Sequence, residues 1–537
     1  MQFLDAEARR QLGFDQVWSR LKPVSPQGRA RQHKAAAFEA KDRERLEEEL
    51  DRVERICRAL QTNPKVADNL LYFLTMVRDI NGTLNRSMQG STLDDMEFYE
   101  IKKLLLIAKE IQTELERLEW TSLLAPLDLC PECREALSVG QRSKESFYIA
   151  DAYDPKLAKV RRERIRLEGL LADFRGSVES KIMHAAGRTL SMDGDITVSK
   201  AEPELISRLE AIENLAPVHL SAHSVTFALV ENESMHQTRQ ELGQSREEEE
   251  ACKQEIRGRL TQTVATSAPR LLGVLEQLAY LDIVLAKGRL SAEIDGVKPR
   301  LFHNSNIRIE EGRHLLVEEE VQQRGHTYTP LNVEVSAGVT IVTGPNMGGK
   351  TASLKMIGLL TAMAQYGLLV PAAAMEFSPQ NFIRAHLTVA EIPKGLSAFA
   401  GELAFLRDVI QNSQGGGLIL VDEIAHGTNP PEGAAMAQAI IEELCQKISI
   451  TVITTHYPSL ARLGGVLHLR VRGLERDRLG QGQMAALQNH MDYRLEKASP
   501  DGPFRSNAAL VAEAVGLDPR IIARAKELQE KGDRSHG

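Results

Sequence analysis

Nine consecutive residues, Thr343-Gly344-Pro345-Asn346-Met347-Gly348-Gly349-Lys350-Thr351, constrain this 537-residue chain more than any other feature. They follow a strand-like run, Val339-Thr340-Ile341-Val342, and precede the helical sequence ASLKMIGLLTAMAQ. GxxxxGK[ST] between a strand and a helix is a phosphate-cradling loop. Its glycines, Gly344, Gly348 and Gly349, let backbone N–H groups turn inward around phosphate oxygens, and the helix N-terminus adds partial positive charge. Lys350 is placed to neutralise the terminal phosphates, and the Thr351 hydroxyl to ligate Mg2+. Such a loop sits at the ligand-binding edge of a parallel sheet, so the second half of the chain is expected to be α/β.

Two further runs fit that sheet. Gly417-Leu418-Ile419-Leu420-Val421 is almost wholly apolar, as a buried parallel strand is, and it ends in Asp422-Glu423. Asp422 is expected to hold Mg2+ through water and Glu423 to polarise an attacking water. A third strand, Ile450-Thr451-Val452-Ile453-Thr454-Thr455, ends at His456, where a side chain can sense a γ-phosphate. The expected chemistry is hydrolysis of ATP to ADP and phosphate with Mg2+.

Before about residue 300 the pattern changes. Glycine is rare and helical periodicity dominates. Ile101, Leu104, Ala108, Ile111, Leu115 and Leu118 form a heptad stripe, and Leu46, Leu50, Val53, Cys57 and Leu60 a second. Both read as helices packed on one another. Residues 155–182 predict a long helix whose outer face carries Lys156, Lys159, Arg161, Arg162, Arg164 and Arg166. Residues 234–265 predict a return helix bearing Glu247 to Glu250, which sets acid against base; a nucleic-acid patch is the other reading. Between them, 186–233 holds the β-like pieces DITVS and HSVTFALVE, giving a lever-and-tip layout. The tip is acidic, with five Lys/Arg against nine Asp/Glu across 180–241, unlike a surface built to grip phosphates.

Length and composition bound the rest. The chain is too long for one core. The expected division is a helical core over 1–150, lever helices with a clamp-like tip (about 186–233) and return helix over 151–290, and a P-loop ATPase domain with C-terminal helices over 291–537. With 42% hydrophobic and 26% charged residues the chain is globular, and its net charge of −8 excludes a uniformly basic nucleic-acid coat. Five cysteines are too few for a disulfide framework. Cys130-Pro131-Glu132-Cys133 lacks the second ligand pair a zinc site needs, and reads as a connecting loop with free thiols. The start at Met1 has no apolar signal core and no run of 18 apolar residues occurs, so a cytoplasmic protein without membrane contact is expected.

TGPNMGGKT, VDEIAHGTNPPEG and TTHYPSLA together resemble the ATPase domain of the MutS family, which is similar in architecture to ABC-type ATPases. Gly395-Leu396-Ser397-Ala398-Phe399-Ala400-Gly401-Glu402-Leu403 resembles that family's signature loop, which implies that Ser397 reaches the nucleotide of the other subunit. Asn346 matches a P-loop asparagine of the family, and GLDPRIIARAKELQEK its closing helices. Leu12-Gly13-Phe14-Asp15 to about residue 40, and NPPEGAAMA, resemble the branch that has no mismatch-reading domain. The fold class implied is multidomain: an all-α core and lever with a small β-containing tip, followed by an α/β P-loop domain. The partners implied are a second identical or related subunit, paired through the ATPase domains, and DNA. Neither a mismatch-reading domain nor a nuclease-type tail is expected. Phe98-Tyr99-Glu100 imitates the Phe-x-Glu wedge of that missing domain but abuts the helical stripe, so it is read as coincidence. Ala425-His426 stands where mismatch-repair members have Gly-Arg. The function expected is an ATP-hydrolysing clamp that binds distorted or branched DNA. The alternative is an ATP-driven reactivating partner of a cobalamin-dependent aminomutase type of enzyme, a protein client that the acidic tip favours; a nucleotide-binding scaffold with little turnover is a third. Tyr328 and His326 are candidates for contacting adenine.

Overall fold

Long amphipathic helices and short apolar strands sort this chain into two compact units, neither continuous in sequence. The computed structural model describes all residues except 1, 63, 118–119, 121–125, 144–145, 192, 346–347, 388–397, 413–414, 475–490, 499–511, 514–515 and 536–537. Among the described residues no helix is long and apolar enough to cross a membrane.

One unit comprises Val77–Thr113 and Pro126–Glu276. Its helix Pro155–Ala186 starts where Pro155 presets the first turn and the Asp154 carboxylate accepts the Lys156 N–H at 2.9 Å. It stops at Gly187, which takes the left-handed conformation (φ 60°). The chain then builds a small antiparallel sheet from β1 (Asp195–Ser199), β2 (Leu215–Leu220) and β3 (Ser224–Leu229), in the order β1-β3-β2. The buried side chains Val198, Leu209, Phe227, Val178 and Ile182 close its core against Pro155–Ala186. The 61-residue helix Glu233–Glu293 follows, its residues up to Glu276 belonging to this unit. Its buried Glu249 accepts a hydrogen bond from Arg161 at 3.0 Å and forms an ion pair with Arg164 at 2.8 Å, so part of the basic face of Pro155–Ala186 is spent on the return helix, as the acid-against-base reading expects. Phe98 is fully buried, its ring 5.3 Å from that of Phe147, which is a core position and not a wedge. Cys130 and Cys133 are buried free thiols, their pKa values pushed up by burial to about 11 and about 12.

The other unit gathers Met1–Met76, Glu114–Ala125 and Gln277–Gly537. Among the described residues it holds ten strands: β4 (Arg300–Leu301), β5 (Asn306–Gly312), β6 (Leu331–Ser336), β7 (Gly338–Thr343), β8 (Ala374–Phe377), β9 (Ile383–His386), β10 (Leu418–Val421), β11 (Ile450–Thr454), β12 (Val466–Leu474) and β13 (Met491–Lys497). Six form one sheet in the order β13-β12-β7-β11-β10-β9, parallel except for β13, and four form a second in the order β4-β8-β5-β6. Helix Lys350–Gln365 is buried along nearly its whole length, as an all-round apolar helix must be. At Gly358 a Cβ would stand 2.5 Å from Leu12 and 2.7 Å from Leu420, so glycine lets this helix close on β10 and the N-terminal segment at once. That segment extends the sheet: Leu4 bridges Ile383 in parallel, the Ile383 N–H donates to Phe3 O at 2.7 Å, and the Gln11 side chain accepts the Leu387 N–H at 2.7 Å. Three buried charged groups in the same unit have partners. Lys287 pairs with Glu49 at 2.6 Å, and Asp282 accepts the Ser25 N–H at 2.7 Å and its hydroxyl at 2.6 Å.

Candidate functional site

The C-terminal ends of β7, β10 and β11 meet at one edge of the six-stranded sheet, where ligands bind in open α/β folds. β7 runs into the glycine loop. Gly344 has φ 154°, and a Cβ there would lie 2.7 Å from that of Val471. Gly349 caps helix Lys350–Gln365 with φ 82°, and a Cβ there would lie 3.0 Å from the ring of Tyr493 on β13. Only glycine serves at both ends of the loop. Lys350 is buried, its ammonium turned back to donate to Gly344 O at 2.9 Å, with His456 Nε2 at 3.5 Å. Burial pushes the lysine pKa down, and the charges of Glu423 and Asp422 oppose that.

The two acids at the end of β10 are held differently. Asp422 accepts the Thr351 hydroxyl at 2.6 Å on Oδ2 and the Thr454 hydroxyl at 2.5 Å on Oδ1. Thr454 also accepts the Glu423 N–H at 2.7 Å, so one hydroxyl at the end of β11 sets both acids. Glu423 has φ 54°, a left-handed conformation that costs a non-glycine residue about 1 kcal/mol or more. Its Oε1 lies 2.7 Å from His456 Nε2. Burial raises the Glu423 pKa, but the His456 hydrogen bond, with the charges of His456, Lys350 and His426, outweighs it and leaves the carboxyl below its ordinary value.

The structure therefore brings Gly344, Gly348, Gly349, Lys350, Thr351, Asp422, Glu423 and His456 to one sheet edge, with Pro345 in the loop between them. Asn346, Met347 and Ser397 lie outside the described residues. The Tyr328 hydroxyl accepts the His314 N–H at 3.0 Å, at the cap of helix Leu315–Gln323. Sequence reasoning left out Thr454 and Tyr493. Thr454 was visible as a hydroxyl at a strand end. Tyr493 gave no signal, because its place beside the loop depends on an edge strand added antiparallel late in the chain.

The residues present fit a magnesium nucleotide. Thr351 Oγ1 and the Asp422 carboxylate are hard oxygen donors 2.6 Å apart. Mg2+ is usually held by one or two carboxylates plus phosphate oxygens rather than by an all-protein cage. Among the described residues no group of three or more His, Cys, Asp or Glu is arranged to hold a metal by itself.

Comparison with known proteins adds to this geometry. Residues 340–531 match the family described as MutS domain V. The chain is similar to proteins named endonuclease MutS2. It is 31% identical to that of Thermomicrobium roseum over 486 residues, covering 85% of this chain and 58% of the relative. It is 28% identical to that of Geobacillus sp. (strain WCH70) over 468 residues, covering 83% and 56%. For the relative of Carboxydothermus hydrogenoformans the figures are 28% over 470 residues, 84% and 56%. The chain thus spans less than two thirds of the length of these relatives.

Proposed function

Because the chain belongs to the MutS family, we propose that it is an ATP-hydrolysing clamp protein that acts on DNA. The observation that carries the reading is the hydrogen-bonded row Thr351–Asp422–Thr454–Glu423–His456 beside Lys350. The name endonuclease, borne by the relatives, favours a nucleic-acid partner. Distorted or branched DNA is the substrate class proposed. Two subunits pair through residues 291–537, and Ser397 of each completes the other's site.

Each group has a task in ATP hydrolysis. The loop N–H groups and the N-terminus of helix Lys350–Gln365 hold phosphate oxygens. The Lys350 ammonium exchanges the Gly344 carbonyl for the β- and γ-oxygens. Thr351 and Asp422 would hold Mg2+, which when bound would supply neutralisation of phosphate charge. Glu423 orients a water and takes its proton as the water oxygen bonds to the γ-phosphorus and the bond to the β–γ bridging oxygen breaks. His456 fixes the Glu423 carboxylate, lies 3.5 Å from the Lys350 ammonium, and is assigned the role of sensing the γ-phosphate.

ATP turnover of the purified protein, alone and with duplex, branched and single-stranded DNA at two salt concentrations, tests the proposal. Stimulation by branched DNA that weakens as salt rises supports a clamp on phosphates. Turnover indifferent to every DNA overturns the DNA reading and points to a protein client. A Glu423→Gln variant that hydrolyses ATP as fast as the parent overturns the assigned chemistry.

A further inference from the structure

Glu402 is a buried carboxylate one turn into helix Ala398–Asn412, and the row of hydrogen bonds at the site does not include it. Its Oε1 accepts the backbone N–H of Ala425 at 2.8 Å. Ala425 has φ 59°, and Glu423, two residues earlier, φ 54°. Two non-glycine residues in the left-handed region within three positions make a turn that relaxes unless its surroundings hold it.

Every element around the turn grips it. The Ala425 carbonyl accepts the Tyr457 hydroxyl at 3.2 Å. At Gly433 a Cβ would stand 2.9 Å from that carbonyl and 2.9 Å from the Tyr457 hydroxyl oxygen. At Gly427 a Cβ would stand 3.1 Å from both the backbone nitrogen and the Cβ of Phe399, so the first turn of helix Ala398–Asn412 lies directly on the turn after Glu423. Of these contacts only Glu402 takes a hydrogen bond from the N–H side of Ala425. Burial raises the Glu402 pKa, and the hydrogen bond from the Ala425 N–H opposes that.

We propose that Glu402 is a positioning residue for Glu423: by holding the Ala425 N–H it keeps the Glu423–Ala425 turn left-handed and the Glu423 carboxylate on His456. The inference rests on the ATPase reading above. The need is for an acceptor oxygen, not for a negative charge, so glutamine serves and alanine does not. Removing the backbone strain also lessens the need: with glycine at 425 the turn is accessible without the grip.

The experiment measures kcat and KM for ATP, and the affinity for a fluorescent ATP analogue, in the full chain and in Glu402→Ala, Glu402→Gln, Ala425→Gly and Glu402→Ala with Ala425→Gly. Glu402→Ala should lower kcat about tenfold or more, with analogue affinity within about twofold. Glu402→Gln should keep at least about a third of kcat, and the double variant should recover part of the loss. An unchanged kcat in Glu402→Ala overturns the proposal. So does a folded Glu402→Gln no better than Glu402→Ala, or an equal loss of affinity and kcat in Glu402→Ala. Glu423→Gln, run beside them, separates the two readings: if it turns over normally, the ATPase assignment fails and not the role of Glu402 alone.

Discussion

His456 and Glu423 share one hydrogen bond of 2.7 Å, and its loss has a direction that can be worked out. In the folded protein Glu423 titrates below its ordinary value, so the carboxylate is the form present throughout the neutral range. The acid limb of kcat/KM for ATP should therefore lie below the ordinary glutamate pKa of 4.5 where Glu423 sets it. In His456→Ala the burial that raises the Glu423 pKa stays while its largest opponent goes, and the limb should move to higher pH. A limb that does not move in a folded variant would remove Glu423 from the role of base. His314 makes a separate prediction, for stability. It is buried, with Nδ1 accepting the Val317 N–H at 3.3 Å and Nε2 3.2 Å from Leu12 O. Burial pushes its pKa down from 6.5 to about 4. The unfolded chain then binds the extra proton between those values, so His314 makes stability fall as pH falls from about 6.5 to about 4, by about 3 kcal/mol at most. Urea unfolding across that range should show less of this fall in His314→Gln, whose amide cannot titrate.

At the scale of elements, the question is which helices and strands the chain announces locally. β7, β10 and β11 are short apolar runs that end in the polar residues of the candidate site, so both strand and site are legible from a dozen residues each. The long helices are legible from stripes of three- and four-residue spacing. β9 and the Leu4 bridge are not, because Leu4 finds Ile383 far along the chain and no local pattern encodes that pairing. Glu402 is hidden for a similar reason: its partner is a backbone N–H, which has no sequence signature. The pairing of helices Pro155–Ala186 and Glu233–Glu293 lies between these cases. Charge runs named the partners, but only burial shows which charge matters. Glu249 is buried between Arg161 and Arg164, whereas Glu163 and Arg166 form an exposed pair along one helix. Glu249→Ala should therefore destabilise its unit by about 1–2 kcal/mol, since three cations, Arg161, Arg164 and Lys253, lose their shared partner and remain partly exposed to water. Glu163→Ala should cost less than about 0.5 kcal/mol. Hydrogen exchange in helices Pro155–Ala186 and Glu233–Glu293 reads both, and equal effects would mean that burial does not decide.

At the scale of the whole molecule, the unit that carries the proposed nucleotide site is not a contiguous stretch of chain. Its site residues all lie after residue 340, yet part of the core beneath them comes from the first twenty residues. Leu4, Leu12, Phe14 and Val17 are buried, and Leu12 lies against helix Lys350–Gln365 and β10, which carry Lys350, Thr351, Asp422 and Glu423 at their ends. Burying four such side chains contributes roughly 6–12 kcal/mol, an upper value because an unfolded chain already hides part of this surface. A domain's whole stability is about 5–15 kcal/mol. A fragment of residues 291–537 thus keeps every residue of the proposed catalytic row and loses a contribution as large as its margin of stability. It also leaves the β9 edge without the Phe3–Leu4 strand, an open template for aggregation. Expressed alone, the fragment should be aggregated or should unfold well below the full chain, with no ATP turnover. Supplying residues 1–76 as a separate chain should restore solubility and nucleotide binding, because the lost term is one of contact and not of connectivity. A fragment that is monodisperse and unfolds at the temperature of the full chain would show that the N-terminal segment is a passenger on this sheet. The opposite result would mean that the chain must bring its two ends together before the phosphate loop has a floor to stand on.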